Sequence, residues 1–165
     1  MSAHVRYIEK ARAYFSELGY TKEYRWPHFS EVPFTALKKP LSDCCISIVT
    51  TSFVEEKSEE NASIDSEIIL MGDVYEIDSR IKASELFCRH EGYDSYATNV
   101  DDVDSFFPVT RLHEAFAEGR VGSVAPFFYG AFSTYSKKRT EQVDGPAVVE
   151  GCRKHNVDAA ILTAI

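Results

Sequence analysis

The chain has 165 residues, 44% apolar and 13% aromatic, long enough to bury a real core and far from the composition of a disordered segment. Its formal charge of -8, from 26 acidic against 18 basic residues, argues against nucleic acid or an anionic membrane as partner, since both need a basic surface. No apolar stretch reaches the length of a membrane span, and the charged, amphipathic start is unlike a signal peptide.

The first predicted element is a helix over residues 4 to 19. Val5, Ile8, Ala11, Phe15 and Leu18 recur at helical spacing, and Gly19 offers the stop. Residues 24 to 41 form a connector that Pro27, Pro33 and Pro40 keep irregular, because each ring removes a donor and restrains its predecessor. Its aromatics Tyr24, Trp26, Phe29 and Phe34 are expected to pack on the core. Residues 45 to 51 read as a strand rich in β-branched residues, and the acidic tract 55 to 61 as a solvated loop.

Ile68 to Met71 is short and apolar, running into Gly72 and Asp73. Residues 73 to 77 alternate in strand fashion, and 84 to 90 read as another short strand. An acidic turn at 101 to 104 precedes a helix over 109 to 117, where Val109, Leu112, Ala115 and Phe116 form the apolar stripe and Gly119 closes. Residues 121 to 125 are short and apolar, 126 to 130 read as an aromatic loop, and 137 to 139 as exposed. The last helix has Pro146 at its first position and runs to Asn156. Residues 157 to 165 then read as a buried strand of a parallel sheet.

A helix, a short link and a strand form the second half of a crossover, so the fold class is α/β: an open, mostly parallel sheet with flanking helices, Rossmann-like or flavodoxin-like. One domain is expected over 1–165, with residues 1–40 as a helix plus a proline- and aromatic-rich connector. A buried strand ending bare, where ligands gather in such folds, makes the sheet look incomplete at its C-terminus; that it is simply the last strand is the other reading. Cys44, Cys45, Cys88 and Cys152 show no C-x-x-C spacing and no disulfide framework, which suits a reducing cytoplasm. His4, His28, His90, His113 and His155 are scattered without zinc-type spacing, so no metal site is expected.

Four segments share an order and spacing with a known family: Pro40-Leu41-Ser42-Asp43 before a strand, Gly72-Asp73, His90-x-x-Tyr93-Asp94, and Phe107-Pro108-x-x-Arg111-Leu112 followed by Glu118-Gly119-x-x-Gly122-Ser123. Over residues 24 to 165 the chain resembles the selenoprotein B family, the substrate-handling components of glycine, sarcosine, betaine and D-proline reductases. The resemblance implies reductive C–N cleavage of a small amine or amino acid. It also implies other reductase subunits in a hetero-oligomer, a pyruvoyl-type partner chain that holds the amine, and a thiol or selenoprotein redox partner. In that family the strand equivalent to 158 to 163 leads into a selenocysteine, so the resemblance places that residue just beyond Ile165 and makes a UGA codon read as stop the expected cause of the ending. No cofactor is expected within residues 1–165.

His90, Tyr93 and Asp94 are the candidates for acid–base work or for orienting the amine, with a strand-end cap and a surface histidine as the plain alternative. Arg111 suits a substrate carboxylate, although a pair with Asp104 or Asp102 is the preferred expectation. Asp73 and Asp104 complete the candidate substrate-binding set. Ser52 and Phe53 stand where the family tends to show glycines, and Asp104 where it often shows Asn. A non-catalytic α/β small-molecule-binding or assembly module is the alternative function.

Overall fold

The computed structural model describes residues 7–22, 30–32, 35–58, 73–89, 96, 99–132 and 136–164. Two compact units divide the chain, Met1–Ala36 and Leu37–Ile165. In the smaller, α1 spans Tyr7–Glu17 and closes on Gly19, whose φ of 85° favours a residue without a Cβ. The connector aromatics Tyr24, Trp26, Phe29 and Phe34, and the apolar segment 68–71 with Gly72, lie outside the described residues.

The larger unit is built on a sheet whose centre is β1 (Cys45–Thr50). Around it lie β2 (Val54–Glu56), β3 (Tyr75–Asp78), β4 (Leu86–Cys88), β5 (Ser123–Val124), β6 (Phe127–Gly130) and β7 (Ala159–Thr163). Along one edge of β1, β5 pairs at Cys45 and Ile46 and β6 at Val49 and Thr50, both parallel. These two are one strand line interrupted at Pro126, which has no N–H to give to a ladder. The Ser47 hydroxyl fills the gap by donating to the Phe127 carbonyl at 3.0 Å. On the other edge β7 pairs in parallel from Ile46↔Ala159 to Thr50↔Thr163, and β3 joins β6 antiparallel. A separate antiparallel pair joins β2 to β4.

Strand alternation sends Ile46 and Ile48 to one face, where they meet Ile77, Phe128 and the helix α2 (Val109–Ala117) through Val109, Leu112 and Ala115. Phe107 seals this core edge-to-face against Phe128, with centroids 5.7 Å apart. Each fully buried side chain of this size contributes about 1.5–3 kcal/mol. The opposite face carries α3 (Gly145–Lys154), entered through a helical turn at Lys137–Arg139 and a π-helical turn at Thr140–Asp144. Gly151 of α3 lies against the Tyr129 ring, where a Cβ would come within 2.5 Å of it.

The architecture is the expected α/β one, a largely parallel sheet with flanking helices, but three elements differ. Residues 127–130 are a strand rather than an aromatic loop: packed on both faces, they carry no period-two signal. Glu55 and Glu56 belong to β2 rather than to a solvated loop, because Arg89 reaches across from the end of β4 to pair with Glu55 at 2.8 Å. And β7 is not buried. Ile161 is 40% and Leu162 78% exposed, since β7 has a strand partner on one edge alone among the described residues.

Candidate functional site

Parallel strands gather ligands at their carboxyl ends, and here those ends are tied together. The Thr51 N–H donates to the Thr163 carbonyl at 3.2 Å, and the Ala131 N–H to the Thr50 carbonyl at 2.9 Å. Between them, the buried Thr50 hydroxyl donates to the Ser52 hydroxyl at 2.9 Å and accepts from the Ser52 N–H at 3.1 Å. This local loop satisfies polar groups that burial would otherwise make costly.

The chain then turns at Phe53, whose φ is 48°. Its ring packs with Phe132 and Tyr75, centroids 4.9 and 6.2 Å away. The Tyr75 hydroxyl donates to the Val54 carbonyl at 3.1 Å, and burial pushes its phenol well above the ordinary range. Tyr75 crosses β6 at Gly130, where a Cβ would overlap its ring. Cys88 Sγ donates to the Ser52 carbonyl, and the Arg89 N–H to the Phe53 carbonyl at 3.0 Å. The Arg89 guanidinium also lies over Phe87, 5.0 Å from the ring centroid.

The α3 face carries a second polar group. The Tyr129 hydroxyl and His155 Nε2 are buried without a hydrogen-bond partner among the described residues, His155 Nε2 lying 3.8 Å from Glu76 Oε1. Burial, with Cys152 and Glu76 nearby, pushes the Tyr129 phenol up to about 12. Burial likewise raises the Cys152 thiol, with Cys45 adding to it, so Cys152 is held in its less nucleophilic form. No group of three or more His, Cys, Asp or Glu among the described residues is arranged to hold a metal ion, and none of their helices is long and apolar enough to cross a membrane.

Of the residues singled out from sequence, His90, Tyr93 and Asp94 lie outside the described residues; Arg89, the residue before them, is held at the Phe53 turn. Asp73 is 93% exposed and pairs with Arg139 at 3.2 Å, while Arg139 also pairs with the buried Asp144. Asp104 Oδ1 accepts from the Thr110 N–H at 2.8 Å, which satisfies a donor in the first turn of α2. Arg111 pairs with Glu114 one turn along the helix at 2.8 Å, not with Asp104 or Asp102, and is 62% exposed. These three carboxylate and guanidinium groups have separate partners and do not converge. Sequence reasoning passed over Thr50, Thr51 and Ser52, whose signal is three hydroxyls in a row at a strand end, and Arg139, which sits in a basic triplet with nothing to distinguish it.

Two of the family-like segments, Pro40 to Asp43 and Phe107 to Ser123, meet at the opposite end of the sheet; Gly72 and the His90 to Asp94 segment lie outside the described residues. Leu41–Asp43 is a 3₁₀ turn feeding β1, and a Cβ on Gly122 would meet the Asp43 backbone at 2.4 Å. The Gly122 and Ser123 N–H groups both donate to the Cys44 carbonyl, at 3.0 and 3.1 Å. Gly119 closes α2 with φ 71°. The first and fourth segments thus touch each other and position strands.

The family model of glycine/sarcosine/betaine reductase selenoprotein B matches residues 3–165. Glycine reductase complex component B subunit gamma of Symbiobacterium thermophilum is 29% identical over 147 residues, 88% of this chain and 34% of the relative. The protein of the same name from Peptoclostridium acidaminophilum is 30% identical over 152 residues, 88% of this chain and 33% of that one. D-proline reductase subunit gamma of Acetoanaerobium sticklandii is 24% identical over 135 residues, 79% and 52%. The chain therefore spans about a third to a half of the length of these relatives. No solved structure matches it. A match over almost the whole chain, with two of the motifs seated as strand-positioning turns, makes this protein a member of the glycine/sarcosine/betaine reductase selenoprotein B family.

Proposed function

We propose that these residues are the strand-bearing frame of a substrate-handling component of a selenium-dependent reductase acting on a small amine or amino acid, of the glycine, sarcosine, betaine or D-proline type. The observation that carries this reading is family membership over residues 3–165. The tied carboxyl ends of β1, β6 and β7 support it, because the polypeptide leaves this edge through Thr163, where the family's redox residue is expected to follow. The sequence holds four cysteines and no selenocysteine, and Cys152 is held as a thiol. In this reading the selenolate lies after Ile165.

The reaction breaks a C–N bond and forms a C–H bond, releasing the amine or opening the proline ring, while a dithiol gives up two electrons and becomes a disulfide. A pyruvoyl-type partner chain holds the amine, and His90, Tyr93 and Asp94 orient it or move its proton. Asp73 remains a candidate for the substrate ammonium only if it exchanges Arg139 for it.

The test compares the 165-residue chain with the reading frame carried past codon 165, each supplied with the partner subunits and a dithiol. Amine release from glycine, sarcosine and betaine, and ring opening of D-proline, are the readouts. Turnover is expected from the extended protein alone. Turnover by the 165 residues, or an extended frame lacking both cysteine and selenocysteine, overturns the reading.

A further inference from the structure

β7, paired with β1 alone among the described residues, has the sequence of an interior strand. Ala159-Ala160-Ile161-Leu162-Thr163 carries apolar side chains toward both faces, the pattern of a parallel strand covered on each side. Its register fixes which is which. Ile161 lies beside Ile48 on the face of the core, and Leu162 beside Val49 on the face of α3. One strand inward, Ile48 and Val49 are buried; in β7 Ile161 is partly and Leu162 mostly exposed.

Natural edge strands are guarded by charge, proline or a bulge. β7 has none of these over its five residues, and its ladder to β1 is continuous. The nearest charge, Asp158, is spent on Lys39 and on the Cys45 N–H. From this we infer that the outer edge of β7 is a strand-docking surface, and that its occupant is a further strand of the same kind of subunit, from the sequence that the longer relatives possess outside the matched region. Those relatives have about three times the matched length, enough for further strands and the crossovers that parallel pairing requires. The added strand would present apolar side chains toward Ile161 and Leu162 and hydrogen-bond to the side of β7 away from β1, which has no strand partner among the described residues. The inference rests on family membership and the exposed edge, not on the redox chemistry, so either can fail without the other.

The test mixes the 165-residue chain with the part of the Symbiobacterium thermophilum relative outside its matched region, and follows amide hydrogen exchange at Ala160–Thr163. Slowing of at least tenfold on mixing is expected, with Leu162→Arg and Ile161→Asp each abolishing it. Because Leu162 is mostly exposed, Leu162→Arg should melt as the parent chain does, which separates lost docking from lost folding. Sedimentation of the chain alone reads out the rival occupant. Slow exchange in the unmixed monomer, no change on mixing, equal slowing with Leu162→Arg, or a β7-mediated dimer that the fragment cannot displace would each overturn the inference.

Discussion

Gly122 and Phe53 show how differently single positions hold the chain. A Cβ at Gly122 would sit 2.4 Å from the Asp43 carbonyl carbon, and the obstacle is backbone in the turn that feeds β1. At Gly151 the corresponding obstacle is the Tyr129 ring, a side chain that can rotate a little within its packing. Overpacking costs about 1–3 kcal/mol where neighbours yield and more where they cannot. Gly122→Ala is therefore expected to destabilise by about 3 kcal/mol or more, and Gly151→Ala by about 1–3, in urea unfolding. Equal losses would mean that the β1 entry turn shifts freely.

Phe53 is non-glycine at φ 48°, a conformation costing about 1–2 kcal/mol. Its ring is buried among Tyr75 and Phe132, and deleting a packed Phe costs about 3–5 kcal/mol. Packing wins. Phe53→Gly should therefore lower stability by about 1–4 kcal/mol. A stabilised variant would show that strain dominates the turn.

Among elements, the ones legible in sequence were those whose signal is local. The span of α2 follows from its stripe Val109, Leu112, Ala115 and from Gly119; α3 follows from Pro146 and from Asn156, which takes φ 54° past its end. What a strand pairs with is not local. Glu55 in an acidic run looked solvated until Arg89, 34 residues on, supplied its partner. Residues 127–130 lacked alternation because both faces are covered, and β7 had the composition of an interior strand while lying at an edge.

The Asp158 clamp at the mouth of β7 is likewise non-local. Its carboxylate accepts from the Cys45 N–H at 2.8 Å and pairs with Lys39 at 2.8 Å, and these contacts, Lys39 first, hold its pKa below the ordinary carboxylate value. A depressed folded-state pKa means stability present above the unfolded value of about 4 and lost as pH falls through the folded one. Asp158→Ala should therefore melt below the parent at pH 7, with the gap closing in acid. Asp158→Asn, which still accepts from Cys45 but loses Lys39, should fall between. A gap unchanged down to pH 2 would remove the clamp from the argument.

Over the larger unit, the sheet is asymmetric about β1. One edge is held by β5, β6 and, beyond them, β3; the other by β7 alone among the described residues. Asp104, Arg111 and Asp73 were chosen for chemistry, and each proved to have another partner: a first-turn amide, Glu114 and, 66 residues along the chain, Arg139. Charge near a motif says nothing about whether a nearer group has already claimed it. The motif order did carry information, because turns that seat strands must keep their spacing whatever the substrate.

Stability should follow the sheet's asymmetry. Ile48 is fully buried at the centre, so Ile48→Ala leaves a cavity and is expected to cost about 2–5 kcal/mol. Leu162, in the neighbouring strand and likewise apolar, is mostly exposed, and Leu162→Ala should stay within about 0.5 kcal/mol. Native-state hydrogen exchange should rank the same way, with β1 amides opening only on unfolding of the whole unit and β7 amides opening first. If Leu162→Ala cost as much as Ile48→Ala in the 165-residue chain, β7 would already be covered, and the open edge, with the docking strand inferred from it, would be lost together.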